Sequence, residues 1–142
     1  MANTVDGRAK NVHLSTPAVQ KQFLVRAPQC KNWAHSGYVY ALLSTQHHLI
    51  SAGGDGDVRF WRLPDLELTR TINVSDGCIL CMKIHEGLLI IGTQSGGIRC
   101  IDLESNLVVK RLFVHKEDIL GMVIGPDGAL LSASAGALTL LF

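Results

Sequence analysis

From His35 onward the chain alternates short apolar runs with clusters of Gly, Asp, Ser and Pro, and no stretch carries convincing helical punctuation. Residues 38–43, 49–52 and 57–62 predict three strands, the last two joined as a hairpin across Gly53-Gly54-Asp55-Gly56. Leu66 to Ile72 alternates apolar and polar positions, the pattern of a half-exposed outer strand. The same order follows at 78–84, 88–92, 97–103 and 107–113, and again at 119–124, 129–134 and 138–142. Gly125-Pro126-Asp127-Gly128 has proline at the second and glycine at the fourth position of a type I turn. The inner strands are apolar on both faces, which predicts sheets sandwiched between neighbours.

The order is a repeat. Ser51, Ile91 and Ser132 occupy equivalent places in three successive copies, and His35, Ser75 and His115 lead into those copies at an even spacing. A period of ~40 residues with several strands per unit predicts an all-β fold of propeller blades, each a four-stranded antiparallel sheet.

The pattern resembles the WD-repeat (WD40) family of β-propellers over roughly Trp33 to Phe142. The first repeat carries the resemblance best. His35 stands before the first strand, Ser51 on the second, Asp55 in the tight turn and Trp61 on the third. The resemblance implies one hydrogen-bonded chain, from indole to serine to histidine to aspartate, that rigidifies the blade. The second repeat has Ser75, Ile91, Ser95 and Ile101 at these places, and Asp102 matches the family's terminal aspartate. The third has His115, Ser132, Gly136 and Phe142, and the first repeat has Arg62 where the terminal aspartate is usual.

The pattern divides the chain into a polar N-terminal arm (1–32, with a stray strand near Gln20 to Arg26) and three repeats. These are repeat 1 (33–73), repeat 2 (74–113) and repeat 3 (114–142), the last cut before its outer strand. Propellers use typically 4–8 blades, so three leave an incomplete ring. The expectation is a fragment of a longer protein, a truncated gene model, or a piece whose ring closes only with further blades in cis or with another chain.

Charge narrows the partners. Lys+Arg number 13 and Asp+Glu 12, so a net charge of +1 gives no electrostatic case for nucleic acid or an anionic membrane. No apolar run approaches the ~20 residues that span a bilayer, and the polar start is no secretory signal. Four cysteines in a chain that is 47% hydrophobic make no disulfide scaffold, and reduced thiols fit the cytosol or nucleus.

Several constellations invite chemistry. His35, Ser51 and Asp55 are the residue types of a hydrolase triad, yet a serine on a buried strand offers neither an exposed hydroxyl nor an oxyanion hole. Cys78-Ile79-Leu80-Cys81 with His85 lacks a second metal pair, and Cys30, Cys100 and His13 have no suitable spacing. On a strand its two thiols point to opposite faces. His47-His48 reads as a solvated turn, and the glycine-rich turn lacks the lysine and helix of a phosphate loop. Arg59 and Arg99 fall at equivalent places and are read as laying their stems across a neighbouring blade.

The resemblance implies a protein-interaction scaffold without a catalytic site, a metal or a cofactor, binding other proteins or peptides. Loops between blades and between second and third strands share one end. Ser36, Gly37, Tyr38, Asp76, Gln94, Lys116 and Glu117 are the candidate contact residues, with Tyr38 the anchor. Two further readings stay open. One is an N-terminal interaction module of a multidomain enzyme, such as a fungal glutathione-degrading metallopeptidase subunit. The other is a non-functional truncated product.

Overall fold

The structure, a computed structural model, describes residues 34–74 and 76–141. The arm, the strand expected near Gln20 to Arg26, Cys30, Ser75 and Phe142 lie outside the described residues.

Eleven strands form three antiparallel sheets. β1 (Val39–Ser44), β2 (His48–Gly53), β3 (Asp57–Arg62) and β4 (Glu67–Asn73) pair in chain order. β5 (Ile79–His85), β6 (Leu88–Thr93), β7 (Gly97–Asp102) and β8 (Val108–Phe113) form the second sheet, again in chain order. β9 (Ile119–Ile124), β10 (Leu130–Ser134) and β11 (Ala137–Leu141) form the third. Among the described residues the three sheets do not close into a ring.

Register repeats with the sequence. Ser51 faces Arg59 and Leu49 faces Trp61; in the next blade Ile91 faces Arg99 and Leu89 faces Ile101. The third sheet departs by one position. Only Ala135 and Gly136 separate Ser134 from its partner Ala137, so the turn is one residue shorter than Gly54 to Gly56 or Gln94 to Gly96. The counterpart of Trp61 is therefore Leu141, opposite Leu130, and not Phe142 as spacing from Ser132 predicts.

The apolar faces meet between sheets. Ile50, Ala52, Val58 and Phe60 of the first sheet pack with Ile79, Met82, Leu89, Ile91 and Ile101 of the second. The second sheet's other face, with Ile90, Ile98 and Cys100, packs with Ile119, Met122 and Leu130 of the third. This is why β6 and β7 are buried on both faces. Polar ties run along the same seams. The Arg70 guanidinium lies 3.8 Å from the Phe60 ring centre and donates to Leu103 O and to the Asn106 side chain across the first seam.

Two glycines hold the second seam close. A Cβ on Gly92 would sit 2.6 Å from Cys81 Sγ and 2.7 Å from Ile119 Cγ2. Gly96 has φ +80°, its carbonyl accepts from Val114 and His115 N–H, and a Cβ there would lie 2.2 Å from His115 O. Gly96→Ala should therefore destabilise the fold by about 3 kcal/mol, combining left-handed backbone strain with a main-chain clash. A urea titration that finds the midpoint unchanged would refute that packing.

Candidate functional site

At one end of each sheet, the turn between the second and third strands meets the segment that enters the blade. Gly54 N–H donates to Tyr38 O at 2.8 Å, Gln94 N–H to Cys78 O at 3.0 Å, and His115 N–H to Gly96 O at 3.1 Å. The loops are thus tied main chain to main chain. What differs among the three blades is the polar side-chain network beneath them.

In the first blade the network is continuous. Trp61 Nε1–H donates to Ser51 Oγ at 2.8 Å, Ser51 Oγ lies 2.7 Å from His35 Nε2, and His35 Nδ1 lies 2.9 Å from Asp55 Oδ1. A carboxylate only accepts, so His35 Nδ1–H donates to Asp55 and Nε2 accepts from the Ser51 hydroxyl. Every donor then points the same way along the chain, an arrangement in which each bond polarises the next. Asp55 also accepts from Ser36 N–H at 3.0 Å and Asp57 N–H at 3.1 Å. Burial pushes its carboxyl up, but the bonds from His35 and the two N–H groups outweigh this and hold it below the usual carboxylate range.

These are the elements of a hydrolase triad without its chemistry. Ser51 is 3% exposed, and its oxygen already accepts the indole N–H. An attacking hydroxyl needs a free path to substrate, and this one is enclosed.

The second blade replaces the network in two parts. Ile91 and Ile101 stand at the places of Ser51 and Trp61 and are fully buried. Replacing both partners of a buried hydrogen bond by apolar groups leaves neither unsatisfied. At the turn, Asp76 Oδ2 takes the Arg99 guanidinium at 2.7 Å and the hydroxyls of Thr93 at 3.0 Å and Ser95 at 3.1 Å. Arg99 is buried and also donates to Ile98 O and Leu112 O, with Phe113 4.7 Å beneath it. Asp76, expected as a contact residue, is therefore engaged inside its own blade, because a buried guanidinium requires a carboxylate partner.

The arginine expectation is corrected as well. Arg59 pairs with Asp57 at 2.9 Å, lies 3.6 Å from Asp55 and donates to Ala34 O. Neither Arg59 nor Arg99 lays its stem across a neighbouring blade. Each binds a carboxylate of its own repeat, where charge-assisted bonds are available.

In the third blade His115 Nε2 lies 2.8 Å from Ser132 Oγ, and Nδ1 lies 3.1 Å from Ser134 Oγ. The shortened turn has no aspartate, and Ser134 takes that partner's place. Thr93 and Ser134 were not singled out from the sequence. The available signal was a hydroxyl two positions beyond Ile91 and beyond Ser132, next to the turn.

Of the other candidates, Ser36, Gly37, Tyr38, Gln94, Lys116 and Glu117 are exposed. Tyr38 is 78% exposed, with the Tyr40 ring centre 6.0 Å away. Tyr38, His35, Ser36, Gly37 and Arg59 line an open depression at this end of the first blade. The two thiols of the Cys-x-x-Cys stretch diverge. Cys78 Sγ reaches Gly54 O of the first blade at 3.6 Å, and Cys81 Sγ reaches Ile119 O of the third at 3.5 Å. Burial pushes the Cys81 and Cys100 thiols up. Among the described residues, no group of three or more His, Cys, Asp or Glu is placed to hold a metal ion.

Ser51→Ala should cost about 2 kcal/mol, since it strands both the indole N–H and His35 Nε2; thermal and urea unfolding read this directly. Asp55 adds a pH dependence of known sign. Its folded carboxyl lies below the unfolded value of about 4, so its contribution is present above that value and is lost as pH falls through the folded one. Asp55→Asn should lower stability at neutral pH and flatten the fall of unfolding free energy below about pH 4. An acid limb as steep as the parent's would contradict the assignment.

No family model matches the chain. Human WD repeat-containing protein 36 is 25% identical over 108 residues, which covers 74% of this chain and 12% of that protein. Among solved structures, a chain of the Mitotic Checkpoint Complex superposes with TM-score 0.68 at 21% identity, over 76% of this chain and 35% of that one. The WD40 β-propeller domain of Doa1 gives 0.69 at 17%, over 75% and 37%. The computationally designed Ika4 protein gives 0.67 at 15%, over 75% and 67%. This chain thus spans about an eighth of the human relative and about a third of the two natural structures. The repeated sheets are WD40 blades, and the chain is a partial WD40 β-propeller.

Proposed function

We propose that the chain is a non-catalytic scaffold that binds other proteins or peptides through the loops gathered at one end of its blades. The observation that carries this reading is Tyr38. Its ring is 78% exposed, while its carbonyl is fixed by Gly54 N–H and Asp55 holds the neighbouring Ser36 N–H. A large aromatic side chain on an immobilised backbone loses little entropy on binding, and such residues dominate interface energetics. Ser36, Gln94, Lys116 and Glu117 supply a polar surround, and Asp76 is left out of it. The propeller fold and the WD-repeat relative support the same class.

The near balance of 13 basic and 12 acidic residues favours protein partners over nucleic acid or membrane. Among the described residues, no helix is long and apolar enough to cross a membrane. Cys78, Cys81 and Cys100 are free thiols, which supports work in the reducing cytosol or nucleus.

A displayed peptide library selected against the whole chain supplies ligands for the test. Tyr38→Ala should weaken the selected peptides roughly 30-fold, the loss of an anchor worth about 2 kcal/mol, with the unfolding midpoint unchanged. Peptides that bind the variant as tightly as the parent would remove Tyr38 from the site.

A further inference from the structure

Each blade has two different faces, and both seams join one kind to the other. A leading face carries Ile50, Val58 and Phe60 in the first blade and Ile90, Ile98 and Cys100 in the second. The trailing face of the second blade carries Met82, Leu89, Ile91 and Ile101. At the first seam the leading face of one blade meets the trailing face of the next, and the second seam repeats this with Ile119, Met122 and Leu130 of the third blade.

Register identifies the same two faces where no neighbour covers them. Leu131 faces Leu140 as Ile90 faces Cys100 and Ile50 faces Phe60; Ala133 faces Leu138 as Gly92 faces Ile98 and Ala52 faces Val58. Leu131, Leu138 and Leu140 are therefore the third blade's leading face, and all three are exposed. Leu138 is 80% exposed, whereas Val58 and Ile98 are 0%. In the first blade, Leu42, Leu49, Trp61 and Leu68 stand one repeat before Met82, Leu89, Ile101 and Val108. They form its trailing face. Leu42 is 61% exposed, and its counterpart Met82 is 4%.

We infer that these two faces join a second copy of the chain head to tail, so that two chains close a six-bladed ring. The third blade's leading face of each copy covers the first blade's trailing face of the other. One molecule carries both halves of a junction that its own seams already make twice, so an identical chain is a complementary partner for each. None of the seven residues is charged, and contiguous exposed apolar surface of this kind marks an interaction site. Head-to-tail contacts that return on themselves give a closed ring, and six blades fall within the usual 4–8. Pairing like with like, leading face on leading face, occurs at neither seam.

Sedimentation equilibrium of the full chain over a dilution series tests this. The expected species is a reversible dimer at twice the 15.4 kDa chain mass. Leu138→Lys and Leu42→Lys should each raise the dissociation constant at least tenfold, and Val109→Lys, on the exposed outer strand β8, should leave it unchanged. Mixing the Leu138→Lys and Leu42→Lys chains should restore pairing, because one junction of the mixed dimer is then wholly unaltered. Circular dichroism checks that each variant is folded, and Leu140→Lys replaces Leu138→Lys should that chain fail to fold. Three results would overturn the inference. They are a chain that is monomeric throughout, a mass that climbs without limit as an open head-to-tail polymer, or a mixture that does not recover.

Discussion

A sheet that is apolar on both faces is stable only between two neighbours, and the rest of this structure follows from that constraint. β6 and β7 satisfy it completely, with Ile91 and Ile101 turned to one side and Ile90, Ile98 and Cys100 to the other. Because each seam needs the same two surfaces, every repeat of the sequence must return to the same register. A slip of one residue would exchange the two faces of a blade. The third blade tolerates a shortened turn because the missing residue falls in the hairpin loop. Register up to Ser134 is untouched, and beyond the loop Leu141 moves into the place that Trp61 holds in the first blade.

Side-chain chemistry at the turns is freer than the packing. Three blades solve one problem, anchoring a tight turn to the loop beside it, with three sets of residues. The first uses histidine between serine and aspartate, the second an aspartate gathering an arginine and two hydroxyls, and the third a histidine between two serines. What is common is satisfaction of the polar groups, as a buried position demands. This also separates the triad-like set from catalysis. Ser51, His35 and Asp55 bond in the order that a hydrolase would use, but Trp61 supplies a fourth member whose only effect is to occupy the serine oxygen.

The strands were legible in the sequence because alternation, β-branched residues and glycine punctuation agreed in every repeat. β3 and β9 fall where those signals place them, at Asp57–Arg62 and Ile119–Ile124. Positive φ at Gly56, Gly96 and Gly136 accords with the turns read there. Less legible was anything that depends on which partner is nearer in space. Asp76 looks like a solvated loop residue until Arg99 is seen below it, and Arg99 looks like a surface arginine until β7 is seen to be buried. Ser134 was hidden because counting from Ser132 points to Gly136, whereas the hairpin closes one residue sooner.

The diverging thiols have a consequence of their own. Cys78 closes on Gly54 in the first blade and Cys81 on Ile119 in the third, so one short segment touches both of its neighbours through sulfur. Each thiol sits at a different boundary. Burial holds the Cys81 thiol in its protonated, unreactive form. Alkylation of Cys81 therefore follows the opening of the boundary between second and third blades, and alkylation of Cys78 follows the boundary between first and second. The chain carries its own pair of chemical clocks for the order in which its blades come apart.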